Sequence, residues 1–147
     1  MDLQTFDPND SLATLLNKTT RALSTRLQSI FTNAGHDVTS EQWMILLLLW
    51  QQDGRSPWQI AGLIGKDRAA VTRLVDGLER RGLVVRVADK TDRRHKQVHL
   101  TPRGKAMENK LIPLGLVNMQ QAQSGLSKKE LESCKAVLRT LYRNLTT

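Results

Sequence analysis

Along most of the chain the apolar positions recur at helical spacing. Leu12, Leu15, Leu16, Thr19, Leu23, Leu27, Ile30 and Phe31 mark one face of a helix of about six turns, with Gly35 as its stop. Thr39-Ser40-Glu41-Gln42 has the form of a capping box, in which the Thr oxygen accepts from the backbone three residues on and the Gln reaches back. The helix it opens is apolar nearly all round, Trp43 to Trp50, which predicts a buried central helix. Ser56-Pro57-Trp58-Gln59 repeats the device, with Pro at the first helical position, where its missing N–H is no loss. That helix ends near Gly65. Asp67 then caps a helix to about Arg81, with Gly82 as its stop. Two helices joined by so short a turn predict a helix-turn-helix over 56–81. Ala61 is small enough for close approach, Gly65 can take positive φ in the turn, and Val71 can pack between the helices.

The period then changes. Leu83 to Val87 and Val98 to Leu100 alternate as strands around a charged centre, Asp89 to Lys96, too polar to be core. This predicts a β-hairpin with a basic tip, a wing over 83–101. Thr101-Pro102 opens a further helix that continues towards Gln123, with a kink expected at Pro113 and Gly115. Ser127 to Glu130 is a third capping box, and its helix carries Leu131, Cys134, Leu138, Leu141, Tyr142 and Leu145 on one stripe. The expected fold is mainly α with a small β-hairpin wing: a winged helix-turn-helix with helical dimerisation arms. Residues 1–35 form the N-terminal arm, 36–105 the winged unit and 106–147 the C-terminal arm.

Charge sharpens this picture. Residues 54–105 hold thirteen basic and five acidic residues, a surplus equal to the net charge of +8 of the whole chain. An excess confined to one structural unit is the electrostatic footprint of a polyanion partner, here double-stranded DNA. Within 68–81, Val71, Leu74, Val75 and Leu78 share an inward face, and Ala69, Thr72, Arg73 and Asp76 the opposite one, with Arg68 flanking near the N-terminus. Arg can bond guanine edges, Thr several bases, and a small Ala permits contact with a thymine methyl, so this face suits the major groove. Arg93 and Arg94 at the wing tip suit a narrow, electronegative minor groove. Asp92 is placed to hold one guanidinium in a forked pair. Ser56, Lys66 and Lys90 complete the candidate DNA-binding surface.

Other chemistry finds little support. The longest apolar run has eight residues, against about 20 for a spanning helix. The N-terminus is acidic and polar with no secretory pattern, and one cysteine forms no internal disulfide, so a cytoplasmic protein with no membrane contact is expected. Cys134 on an apolar stripe reads as a buried, inert thiol. His95 and His99 lie on the wing rather than on one helical face, so no metal is expected. There is no nucleophile elbow, phosphate loop or paired-carboxylate motif, so neither catalysis nor a cofactor is expected. Trp43, Trp50 and Trp58 are expected in the core, with Trp43 and Trp58 as candidates to line a ligand cavity.

The stretch Asp89 to Gly104, with its Asp92-Arg93-Arg94 tip and Val98-His99-Leu100-Thr101 strand, resembles the wing of the MarR family of bacterial transcriptional regulators. Val71 to Asp76 and Leu78 to Val84 resemble that family's recognition helix and its exit, and the likeness extends over nearly the whole chain. It implies a homodimer whose terminal helices interlock, with two winged units astride a pseudo-palindromic operator. Two-fold symmetry would set the recognition helices about one DNA turn apart, ~34 Å. On the family pattern Arg94 enters the minor groove with Asp92 supporting it, and Arg68, Ala69, Thr72 and Arg73 take the major-groove role. The resemblance further implies a repressor released when a small aromatic or anionic ligand binds between the arms and the winged unit. Two other functions compete: an architectural DNA binder with little sequence preference, and a winged helix used for protein–protein contact.

Overall fold

In the computed structural model, which describes residues 4–92 and 94–147, the chain runs helix, helix, helix-turn-helix, hairpin and then three helices. These are α1 (Leu12–Asn33), α2 (Ser40–Gln51), α3 (Pro57–Ile64), α4 (Arg68–Arg80), β1 (Val84–Ala88), β2 (Lys96–Leu100), α5 (Pro102–Ala106), α6 (Glu108–Ala122) and α7 (Lys128–Thr146). The expected mainly helical winged fold is the one observed.

Local chemistry sets most boundaries. The hydroxyls of Ser11, Thr39, Ser56, Thr101 and Ser127 and the carboxylate of Asp67 each accept a backbone N–H in the first turn of their helix. At Thr39, Ser56 and Ser127 the third helical residue returns the bond, so all three capping boxes are formed. Gly65 ends α3 at φ 70°, the left-handed conformation that a side chain disfavours.

Helix α2 is the hub, touching α1, α3, α4 and β2. Its Ile45, Leu46 and Leu49 are buried with Ile60, Val71, Val75, Leu78, Val84 and Val98 in one core. At Gly77 a Cβ would lie 2.5 Å from the Gln42 amide nitrogen, so a larger residue there would make the Gln42 side chain shift. The hairpin is antiparallel, Val84 opposite Leu100 through Ala88 opposite Lys96, and Val98 donates on its other side to Arg55 O at 2.8 Å. This third, single-residue bridge ties the wing to the loop after α2.

Helix α6 packs along α1 and reaches α2 at Gly115, where a Cβ would lie 2.6 Å from the Trp43 ring. Trp43 stands edge-on between Phe31 and Trp50, with centroids 5.3 and 5.7 Å away.

Three expectations change. The helical run after Thr101 is interrupted at Met107, between α5 and α6, and Pro113 and Gly115 lie inside α6. Trp58 is not core: it is 59% exposed on the first turn of α3. Cys134 is exposed, because α7 buries none of its residues within one chain. No helix among the described residues is long and apolar enough to cross a membrane.

Candidate nucleic-acid interface

The surface begins with α4. Its inward residues Val71, Val75 and Leu78 are fully buried, which leaves Arg68, Ala69, Thr72 and Arg73 exposed together on the outer face of its N-terminal half. Asp67 Oδ1 accepts from Ala70 N at 2.7 Å and caps the end from which those residues project. Asp76, expected on the same face, is not free. Arg86 of β1 donates to its carboxylate at 2.7 Å and to the Thr72 carbonyl at 3.3 Å. Arg86 also pairs with Glu79 at 3.4 Å, and its backbone N–H donates to the same carboxylate. One guanidinium, 19% exposed, therefore joins the wing's first strand to two turns of α4.

The wing tip is built from its own side chains. Asp89 Oδ1 accepts the backbone N–H and the hydroxyl of Thr91, at 2.9 and 2.8 Å. These bonds, the backbone one foremost, hold the Asp89 carboxyl below its ordinary value. Asp92 accepts Arg94 Nε at 3.2 Å and Nη2 at 3.3 Å, the expected fork, and Oδ1 also takes the Arg94 backbone N–H. The Arg94 side-chain bond is the first cause that lowers the Asp92 carboxyl, with the backbone bond next. A carboxyl lowered in this way keeps its fork fully above the ordinary carboxylate value of 3.8 and loses it as pH falls through the lowered one. The Arg94 side chain is nonetheless 87% exposed, so the guanidinium is oriented yet open to a partner. His95 Nε2 lies 3.5 Å from the other Asp92 oxygen. Lys90 is exposed beside them, while Arg93 lies outside the described residues.

Two further candidates are already engaged. The Ser56 hydroxyl accepts Gln59 N as the cap of α3, and Lys66 Nζ pairs with Glu41 of α2 at 2.7 Å. The structure thus brings Arg68, Ala69, Thr72 and Arg73 onto one face and sets Lys90, Asp92 and Arg94 at the hairpin tip. Arg86 went unnoticed because its partners lie seven to fourteen residues away in another element. Its one sequence signal is a cation at a strand position between apolar neighbours.

Of the two tryptophans offered for a ligand cavity, Trp43 lines one and Trp58 is exposed. With Leu47, Ile112 and Asn118, Trp43 borders a pocket of about 330 Å³ between α2 and α6. Asn118 is buried there and donates to Leu23 O at 3.2 Å, while its own side-chain oxygen has no partner among the described residues. No group of three or more His, Cys, Asp or Glu side chains among those residues is arranged to hold a metal ion.

Comparison with known proteins places the chain among regulators of one family. The MarR family profile matches residues 38–96. The HTH-type transcriptional repressor YetL of Bacillus subtilis is 30% identical over 115 residues, covering 77% of this chain and 69% of that one. A probable transcriptional regulator from Pseudomonas aeruginosa superimposes with a TM-score of 0.80 at 27% identity, over 92% of this chain and 99% of that one. BpsR of Bordetella bronchiseptica, whose DNA binding is regulated by 6-hydroxynicotinic acid, superimposes with a TM-score of 0.83 over 93% and 96% of the two chains. At 23% identity that last likeness speaks for the fold alone.

Proposed function

The chain belongs to the MarR family of transcriptional regulators, which are not enzymes, and from that membership we propose a homodimeric, cytoplasmic, sequence-specific repressor released by a small ligand. One observation carries the DNA part: an exposed Arg68-Ala69-Thr72-Arg73 face stands on a helix that Arg86 fastens to a wing whose Arg94 is already oriented. The helix face reads base edges in the major groove and Arg94 enters the adjacent minor groove. Arg93 shares the minor-groove role, Lys90 adds positive charge beside it, and Asp92 holds Arg94 extended before DNA arrives.

Dimerisation is supported by the apolar residues the single chain leaves open on its arms: Leu12, Leu15 and Leu16 on α1 and Leu138, Tyr142 and Leu145 on α7. A ligand response is supported by the Trp43 pocket, which joins an apolar lining to the unpartnered carbonyl of Asn118 where arm and winged unit meet. BpsR, a relative in fold, answers to a small aromatic acid. A ligand that favours a dimer with mis-spaced recognition helices would lower operator affinity by population shift.

Selection of bound sequences from random double-stranded DNA tests the proposal. The expected product is an inverted repeat with half-sites about one turn apart, ~34 Å. Equal retention of all sequences would favour the architectural alternative, and no retention at low salt would favour a protein-contact role. Operator binding that stayed unchanged across a broad panel of phenolic acids and related metabolites would overturn the ligand-release part alone.

A further inference from the structure

A second cleft, of about 410 Å³, lies away from the reading face, where the α1–α2 loop, the C-terminal end of α4 and the α5–α6 segment meet. Buried Val38, Leu83 and Met107 form an apolar floor. Arg80, Arg81, Arg103 and Lys110 form the walls. The one acid on the lining, Asp37, is used by Arg81, whose Nε and Nη2 both stand 3.2 Å from its carboxylate. Among the described residues Arg80, Arg103 and Lys110 enter no ion pair.

Helix electrostatics accounts for Arg80, which sits in the last turn of α4 where a cation is favoured. It accounts equally for Arg103, in the single turn of α5, but not for Lys110, in the first turn of α6 where an anion would be favoured. Elsewhere in the winged unit Lys66, Arg86 and Arg94 are matched by carboxylates. Unmatched cations such as Arg68 and Arg73 lie on the face assigned to DNA. The cleft repeats that condition in a concave setting, at the far end of α4. About 18 Å of helix separates it from Arg68 at the usual 1.5 Å per residue. Its volume suits a small molecule, and its floor accepts an apolar portion.

From this convergence we propose that the cleft is an anion site for a small polyanionic metabolite, with two or more phosphate or carboxylate groups and a compact apolar part. Lys110 grips it from the arm, and Arg80 and Arg103 from the winged unit. Such a ligand bridges the two bodies whose relative orientation sets recognition-helix spacing. This site is separate from the Trp43 pocket and does not depend on it.

Titration calorimetry on the full-length protein without DNA, at low salt, tests it with pyrophosphate and citrate as probes. The expected result is saturable binding of at least one probe, one per chain. Arg103→Gln with Lys110→Gln should weaken it about tenfold or more, as loss of two charge-assisted contacts implies. Arg73→Gln with Arg94→Gln should leave it unchanged. Lys110→Glu, a single exposed change checked by circular dichroism, should abolish it. Absence of saturable binding by either probe would overturn the proposal. So would equal weakening by the DNA-face pair, which would mark general attraction to a basic protein. A lower salt slope of operator binding in the Arg103/Lys110 variant would also overturn it, by making these residues phosphate contacts on DNA.

Discussion

The winged unit and the arms solve the problem of burial differently. Between α2 and β2 the chain closes a core on itself: Ile45, Leu46, Leu49, Ile60, Val71, Val75 and Val98 are covered by neighbours in the same chain. Many of its charges are matched as well, Lys66 by Glu41 and Arg86 by Asp76 and Glu79. On the arms, α7 buries nothing, Leu145 is 83% exposed, and α1 leaves Leu12, Leu15 and Leu16 open. Both regions have clear amphipathic patterns, but the arms are covered only in part: Leu27, Phe31 and Leu111 join the core while the stripe of α7 stays open. An amphipathic stripe thus states that a face will be buried without stating by which chain. The winged unit holds most of the buried core, and α7 keeps its stripe open.

The comparison breaks at defined places. The largest effect is expected in the self-contained core, where Ile60→Ala should destabilise by about 2–5 kcal/mol. The lowered melting temperature should not depend on protein concentration. Leu138→Glu with Leu145→Glu should instead spare the winged unit's fold and yield a monomer in analytical ultracentrifugation. Affinity for an inverted repeat should fall about a hundredfold as avidity is lost, with affinity for a single half-site retained. Arg86→Gln lies between the two. Removing the clamp should lower stability by about 1–2 kcal/mol, given partners that are half exposed, and Arg86→Lys should restore part of it in chemical denaturation. The smallest effect concerns Asp92. Because its carboxyl is held below the usual range, the fork persists between about pH 5 and pH 8, and operator binding should show no carboxylate titration there. Asp92→Asn should weaken binding less than Arg94→Ala does.

How much of this could be read from the chain depends on the range of each interaction. Caps at Thr39, Ser56, Asp67 and Ser127 were readable because donor and acceptor stand three residues apart. The Asp92–Arg94 fork was readable for the same reason, at a separation of two. The Lys66–Glu41 and Arg81–Asp37 pairs span 25 and 44 residues and carry no local signature. The break at Met107 was missed because no Gly or Pro marks it, and the residue keeps αR angles. Trp58 was misplaced because an aromatic in the first turn of a short helix gives no period from which to infer a face. Cys134 was misplaced because its stripe points to a surface that one chain leaves open.

The central claim is that α4 reads sequence while the wing grips the backbone and groove. It is tested most directly by quantitative binding of Arg73→Ala and Arg94→Ala to a selected operator and its single-base variants across a salt series. Arg73→Ala should lose about 1–3 kcal/mol of discrimination at one base position and leave the others intact. Arg94→Ala should weaken all variants alike and reduce the salt slope by roughly one unit if one phosphate contact is lost. If Arg73→Ala weakened every sequence equally, or neither change altered affinity or specificity, the assignment of these two surfaces would be contradicted.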